Sequence, residues 1–259
     1  MPEANPRNDI KYKRQVIDKS LVTRGATLRY NARVNLLAVE TSTELCSVAL
    51  LRDRELFVEE AMADNRHSEM VVPMIRKVLE RAHLEAAAMD AFAFGQGPGS
   101  FTGIRIACGI VQGLAFASQR PVVPVPSLLA LAEQSNERRV VAALDARMNE
   151  AYVAAYARNG DDWDEVVAPR LVDAGSLPPL PGRAWAATGS GFERLPWLRE
   201  AYRHVVQMRF AGDLPRAGAV ARLAARRFAR GGSMAAEEAG PLYLRDKVAL
   251  TAEERGARR

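Results

Sequence analysis

A chain of 259 residues, 48% hydrophobic and 26% charged, has the composition of a globular protein large enough for one big core or two smaller ones. This excludes a disordered or fibrous chain, and no apolar run approaches the ~20 residues of a membrane span. The net charge of +5 is concentrated: residues 1–34 carry eight Lys/Arg against Glu3, Asp9 and Asp18, which leaves the remainder balanced, so the basic character is no sign of a nucleic-acid-binding domain.

Residues 1–33 show little apolar periodicity and are expected to be a disordered basic leader. It reads as dispensable, translated from a start upstream of the natural one, with a phosphate-binding tail as the alternative. The polar N-terminus lacks the apolar core of a signal peptide. Cys46 and Cys108 sit in apolar surroundings and read as buried thiols, which together point to a reducing, cytoplasmic setting.

From Val34 the pattern is regular. Val34–Val39 reads as a strand, Glu40-Thr41-Ser42-Thr43-Glu44 as a polar turn, and Leu45–Leu51 and Glu55–Ala61 as two further strands. A helix is expected from Ser68 to about His83, capped by Ser68 or Asn65. Its apolar set is wider than the ~100° stripe one covered sheet needs, with Met70, Met74 and Val78 beyond it, so a second buried face is expected. Strands follow at 91–94 and 122–125, with a helix between them to Phe116. The order βββαβαβ predicts an α/β unit with a mixed sheet. After a helix capped by Ser127 the opening pattern returns: Val140–Leu144, then Asp145-Ala146-Arg147-Met148-Asn149, then Ala151–Tyr156. Val39-Glu40 aligns with Leu144-Asp145, a weak internal repeat that predicts two tandem subdomains with a cleft between them. Trp163–Val172 supplies a third strand, Pro178–Gly182 a loop, and Ala184–Thr188 a short strand. Ala217–Arg230 reads as an amphipathic helix with Arg222, Arg226, Arg227 and Arg230 on a solvated face. The expected organisation is 1–33 leader, 34–126 first subdomain, 127–250 second subdomain with its end packing back on the first, and 251–259 frayed tail.

The stretch around which the chain is organised is Gly97-Pro98-Gly99-Ser100-Phe101-Thr102-Gly103-Ile104-Arg105, a strand-to-helix turn with Ser100 or Thr102 as N-cap. Free N–H groups at such a turn attract anions, yet the spacing is neither a Walker nor a GxGxxG pattern, and a tight structural connection between strand and helix is the favoured reading of the spacing. His67, His83 and His204 have no metal-site spacing, no CxxC is present, and no GxSxG elbow marks a nucleophile; His67 reads as a surface or capping histidine. Nucleotide binding is the serious chemical candidate. The two hairpins at Glu40–Thr43 and at Asp145 keep an acid suited to magnesium but lack the glycines that let backbone N–H groups reach phosphates. They read as vestigial phosphate hairpins.

Val39–Thr43, Arg66-His67-Ser68-Glu69, the Gly97–Arg105 stretch, Leu144–Glu150 and Pro241-Leu242-Tyr243-Leu244-Arg245 occur in that order. From about Val34 to Val248 the chain resembles the bacterial TsaB (YeaZ) family, in the glycoprotease-like branch of the actin, sugar-kinase and heat-shock-ATPase superfamily. The resemblance implies two tandem ribonuclease-H-like (actin-like ATPase) subdomains. It implies a non-catalytic, scaffolding or activating partner of TsaD, working with TsaE and ATP to place threonylcarbamoyl on the adenosine beside the anticodon of tRNAs reading ANN codons. No cofactor is then bound by this chain alone, and tRNA is met through the complex. It implies pairing with TsaD through the two helices of the first subdomain, for which Met70, Val71, Met74, Val78, Ile104, Ala107, Val111 and Leu114 are the candidates, with homodimerisation of the isolated chain through the same surface. The Gly97–Arg105 stretch then shapes the interface helix or lies near a nucleotide shared with the partner. The competing functions are an ATP-binding small-molecule kinase or ATPase, a peptidase, and an RNA-binding module acting through the leader.

Overall fold

The computed structural model describes residues 34–211 and 213–245; the expected leader and tail lie outside them. The first sheet contains β1 (Asn35–Glu40), β2 (Leu45–Arg52), β3 (Glu55–Met62), β4 (Ala91–Gly95) and β5 (Val122–Val125), in the order β3-β2-β1-β4-β5. β1 to β3 form an antiparallel meander, and β4 and β5 extend it in parallel from β1. The second contains β6 (Arg139–Asp145), β7 (Ala151–Asn159), β8 (Asp162–Val172), β9 (Trp185–Gly189) and β10 (Val206–Ala211). Its order, β8-β7-β6-β9-β10, repeats the first strand for strand. The inner strands carry unbroken apolar runs, Leu36-Leu37-Ala38-Val39 and Ala91-Phe92-Ala93-Phe94, because both faces of each sheet are covered.

Helices α1 (His67–Ala82) and α2 (Phe101–Ser118) cover the outer face of the first sheet. Helices α3 (Ser127–Ser135) and α6 (Ala217–Ala229) fill the layer between the sheets, where Leu128, Leu131, Val220 and Leu223 meet Leu36, Val123, Val140 and Tyr156 in one core. The short helices α4 (Ser190–Arg194) and α5 (Pro196–Ala201) lie on the outer face of the second sheet with Phe192 and Leu198 against Val141 and Trp185. α6 belongs to the C-terminal half of the chain but packs on β1 and β2.

Several expectations are corrected. α4, α5 and β10 have no counterpart in the sequence reading; they are too short for a periodic signal, and β10 exists because β9 offers it a parallel edge. α1 begins at His67 after Arg66, with no side-chain cap from Asn65 or Ser68. Ser127 is the first residue of α3, after Pro126, and its hydroxyl is turned elsewhere. The arginines of α6 do not form one solvated face: Arg230 at its end is exposed as expected, but Arg226 is buried at 2.9 Å from Glu133 and Arg227 donates to the Pro124 carbonyl at 2.7 Å. Among the described helices α2 is long and apolar enough to pass for a membrane span, but one side of it is committed to the core through Ala107, Cys108, Val111 and Ala115.

The candidate interface residues fare unevenly. Val71, Met74, Val78, Ala107 and Val111 are core residues and Ile104 is buried; only Met70 and Leu114 stay half-exposed. The extra breadth of the apolar arc on α1 is used inside the chain, where α1 lies over β2 and β3 and also meets α2.

Candidate functional site

A cleft of about 750 Å³ opens between the two subdomains, bordered by the Gly97–Arg105 turn, both hairpins and residues 242–245. The turn is docked on the first hairpin. Ser100 N–H donates to the Ser42 carbonyl at 2.7 Å, and Thr41 Oγ1 donates to the Gly103 carbonyl at 2.7 Å. A Cβ at Gly99 would lie 2.3 Å from the Ser42 oxygen, and one at Gly103 2.0 Å from the Thr41 oxygen. Glycine is therefore required by backbone packed on backbone. Ser100 caps α2 as expected, accepting from Gly103 N–H. Gly97 and Pro98 are buried, joined by a cis peptide bond.

Glu40, Thr41, Ser42 and Thr43 are all buried. The Glu40 carboxylate accepts from Ser42 N–H at 2.7 Å and from the Ser127 hydroxyl at 2.8 Å, tying the end of β1 to the start of α3. Burial lifts its pKa above the ordinary value of 4.5, and those hydrogen bonds offset part of the rise. This acid is a joint of the fold.

The second hairpin is open. Arg147, Met148 and Asn149 hold positive φ in an exposed turn, with Arg147 N–H donating to Asp145 Oδ1 at 2.8 Å. The Asp145 side chain, 11% exposed, faces Arg147 at 3.5 Å and Arg194 at 3.7 Å. Arg194 also reaches Glu44 at 2.6 Å and so bridges the subdomains. Two guanidinium groups thus face the Asp145 carboxylate.

Sequence reasoning missed Arg194, which lies on an unforeseen helix, and the role of residues 241–245. Leu242 N–H donates to the Gln96 carbonyl at 2.7 Å on the first subdomain. The Tyr243 hydroxyl accepts from Arg105 Nε at 2.6 Å, and the Arg105 guanidinium stacks 3.6 Å from the Phe101 ring centre. Arg245 donates to the Ala146 carbonyl at 2.9 Å and pairs with Glu150 on the second subdomain. The segment is a strap across the cleft mouth. Phe101, Thr102 and Arg105 are exposed there. His67 is buried, its Nε2 2.8 Å from the Thr43 carbonyl, so it props the first hairpin rather than lying on the surface. Burial raises the thiol pKa of Cys46 to about 12 and also raises that of Cys108, so neither is poised as a nucleophile.

Two copies of one mixed sheet, each with an acid-bearing hairpin at the end of its first strand and facing across a cleft, define the class: tandem ribonuclease-H-like subdomains of the actin-like ATPase fold. Within that class, the family model described as TsaD, tRNA N6-adenosine threonylcarbamoyltransferase, matches residues 59–252. The tRNA threonylcarbamoyladenosine biosynthesis protein TsaB of Escherichia coli (strain K12) is 35% identical over 228 residues, 83% of this chain and 96% of the relative. The TsaB of Haemophilus influenzae is 36% identical over 231 residues, 83% and 95%. The solved structure of YeaZ from Pseudomonas aeruginosa is 38% identical with a TM-score of 0.75, covering 82% of this chain and all of that one. The chain belongs to the TsaB (YeaZ) family.

Proposed function

We propose that this protein is a non-catalytic subunit of the machinery that builds threonylcarbamoyladenosine on tRNA, and that it pairs with TsaD through the outer side of α1 and α2. The observation that carries the reading is the outer side of α2. Gly109, Gly113 and Phe116 fall on the side of the helix opposite Ala107, Val111 and Ala115, beside Ile106 and Ile110, which are half-buried against the core, and Phe116 is 76% exposed. A Cβ at Gly109 or Gly113 would meet nothing within 4 Å, so no contact among the described residues explains those glycines. Val72, 43% exposed, and half-buried Met70 extend the apolar surface onto α1. A patch of this kind favours a protein partner. The non-catalytic half of the reading is supported by the cleft, where Glu40 is sealed under Ser127 and Asp145 is engaged by arginines. On this reading ATP and TsaE act in the complex, and the isolated chain pairs with itself through the same helices.

Co-purification with TsaD tests it. Gly113→Glu places a charge in open space on the outer side and is expected to abolish the complex while the fold melts as before. Met74→Glu, directed at a core residue, is expected to unfold the chain and is the wrong probe of the interface. Failure of the native protein to retain TsaD overturns the reading.

A further inference from the structure

A second concavity, of about 580 Å³, lies at the far end of the second sheet from the β6–β7 hairpin and belongs neither to the cleft nor to the α1–α2 surface. It forms where β6 and β9 begin. Arg138 precedes β6, Arg139 opens it, Arg183 stands two residues before β9, and Arg158 reaches the same rim from the end of β7. The backbone sets the cluster: Arg158 N–H donates to the Arg138 carbonyl at 2.7 Å, and Arg139 Nη1 donates to the Arg183 carbonyl at 3.4 Å. Trp185 lies beneath, 5.9 Å from the Arg139 guanidinium carbon to its ring centre.

The charge at this place is uncompensated. Several arginines elsewhere are paired, Arg194 with Glu44, Arg216 with Glu60, Arg226 with Glu133 and Arg245 with Glu150, and unpaired ones such as Arg54, Arg120 and Arg170 stand apart in the chain. Arg158 too has Glu133, at 3.4 Å. Arg138, Arg139 and Arg183 are exposed and form no ion pair with any described carboxylate, although Glu137 is among the lining residues. Three guanidinium groups without a carboxylate partner, lining one concavity, repel one another unless an anion joins them.

We infer that this concavity is a contact site for the phosphate backbone of tRNA, with Arg138, Arg139 and Arg183 as its phosphate-binding groups. The inference rests on the proposed role in tRNA modification and deepens it by giving the RNA a place on this chain. Guanidinium groups pair with phosphate oxygens through two parallel N–H bonds, and several such contacts hold an RNA by charge and shape without reading its sequence. Such contacts supply binding that weakens steeply with salt.

The experiment measures binding of unmodified tRNA to the full chain by fluorescence anisotropy across a salt series, alone and with TsaD. The variant Arg138→Gln/Arg139→Gln/Arg183→Gln is compared with Arg54→Gln/Arg120→Gln/Arg170→Gln, which removes the same charge from exposed sites elsewhere. Native melting for both, with the slope of log affinity against log salt shallower by about 2–3 in the first variant alone, is the expected result, at roughly 0.7–0.9 per lost phosphate contact. Equal losses in both variants, or none in either, overturn the inference. So does displacement of tRNA by polyglutamate as effectively as by unlabelled tRNA, which would make an acidic protein surface the ligand. Retention of TsaD by the first variant keeps the two questions apart: loss of TsaD by the native chain sinks the complex, whereas an unchanged salt slope sinks only the arginine site.

Discussion

The two subdomains repeat one strand order, but they treat the acid at the end of the first strand in opposite ways. Glu40 is wholly enclosed, because the Gly97–Arg105 turn lies on its hairpin and α3 brings Ser127 onto its carboxylate. Asp145, its counterpart, keeps contact with solvent, and the chain after β9 enters the five-residue α4 where the first subdomain has the eighteen-residue α2. The outer layers differ likewise. The first sheet carries two long helices with an uncovered apolar side, and the second carries two short ones enclosed around Phe192 and Leu198. A duplicated backbone therefore sets where a carboxylate stands, while the connections between strands set whether it is a joint or a surface group.

The sharpest way to break the comparison is through glycines of α2. Gly103→Ala drives a methyl group to 2.0 Å from the Thr41 carbonyl oxygen and is expected to cost about 1–3 kcal/mol through the forced separation of turn and hairpin. Gly113→Ala, ten residues along the same helix and facing open space, is expected to gain about 1 kcal/mol from helix propensity. Thermal denaturation of the pair measures the contrast; equal effects would show that the turn is not anchored on the hairpin.

Next in size is the pH dependence carried by Glu40. Its folded pKa is raised, so the folded state holds a proton that the unfolded chain releases near 4.5. By linkage, the stabilisation belonging to this group is present below that value and is lost as pH rises through the elevated folded pKa. Glu40→Gln removes the titration, and its stability relative to the native chain is expected to improve steadily from pH 5 upward. Denaturant unfolding at several pH values checks it, and a pH-independent difference would contradict the assignment.

The smallest effect belongs to the strap. Tyr243→Phe deletes the acceptor of the Arg105 hydrogen bond but keeps the ring against Phe101, so a loss of about 0.5–1.5 kcal/mol is expected, seen first as faster proteolysis near residues 241–245. No change in cleavage there would mean that the other contacts of residues 241–245 hold the segment without the Arg105 hydrogen bond.

Long periodic segments were legible because burial writes its period into the chain. Alternation and apolar runs located all three antiparallel strands of each sheet, and the recurrence of Val39-Glu40 in Leu144-Asp145 predicted the duplication. Glycine spacing located the central turn and its Ser100 cap. Short elements were not legible: α4, α5 and β10 are formed by the sheet edge they pack on. Which way an apolar residue points was not legible either. Met74 and Val78 looked surplus to one face of α1, yet the neighbouring α2 gives that helix a second inward side. The arginines of α6 looked solvated because an amphipathic pattern cannot tell water from a buried Glu133 on a distant helix. The sequence alone thus determined the strands, the duplication, the two hairpins and the family resemblance, all carried by local residue types. Only the tertiary structure decided which acids are sealed, which face of α2 is left uncovered, and which arginines stand unpaired together, because each of these depends on partners brought near from tens of residues away.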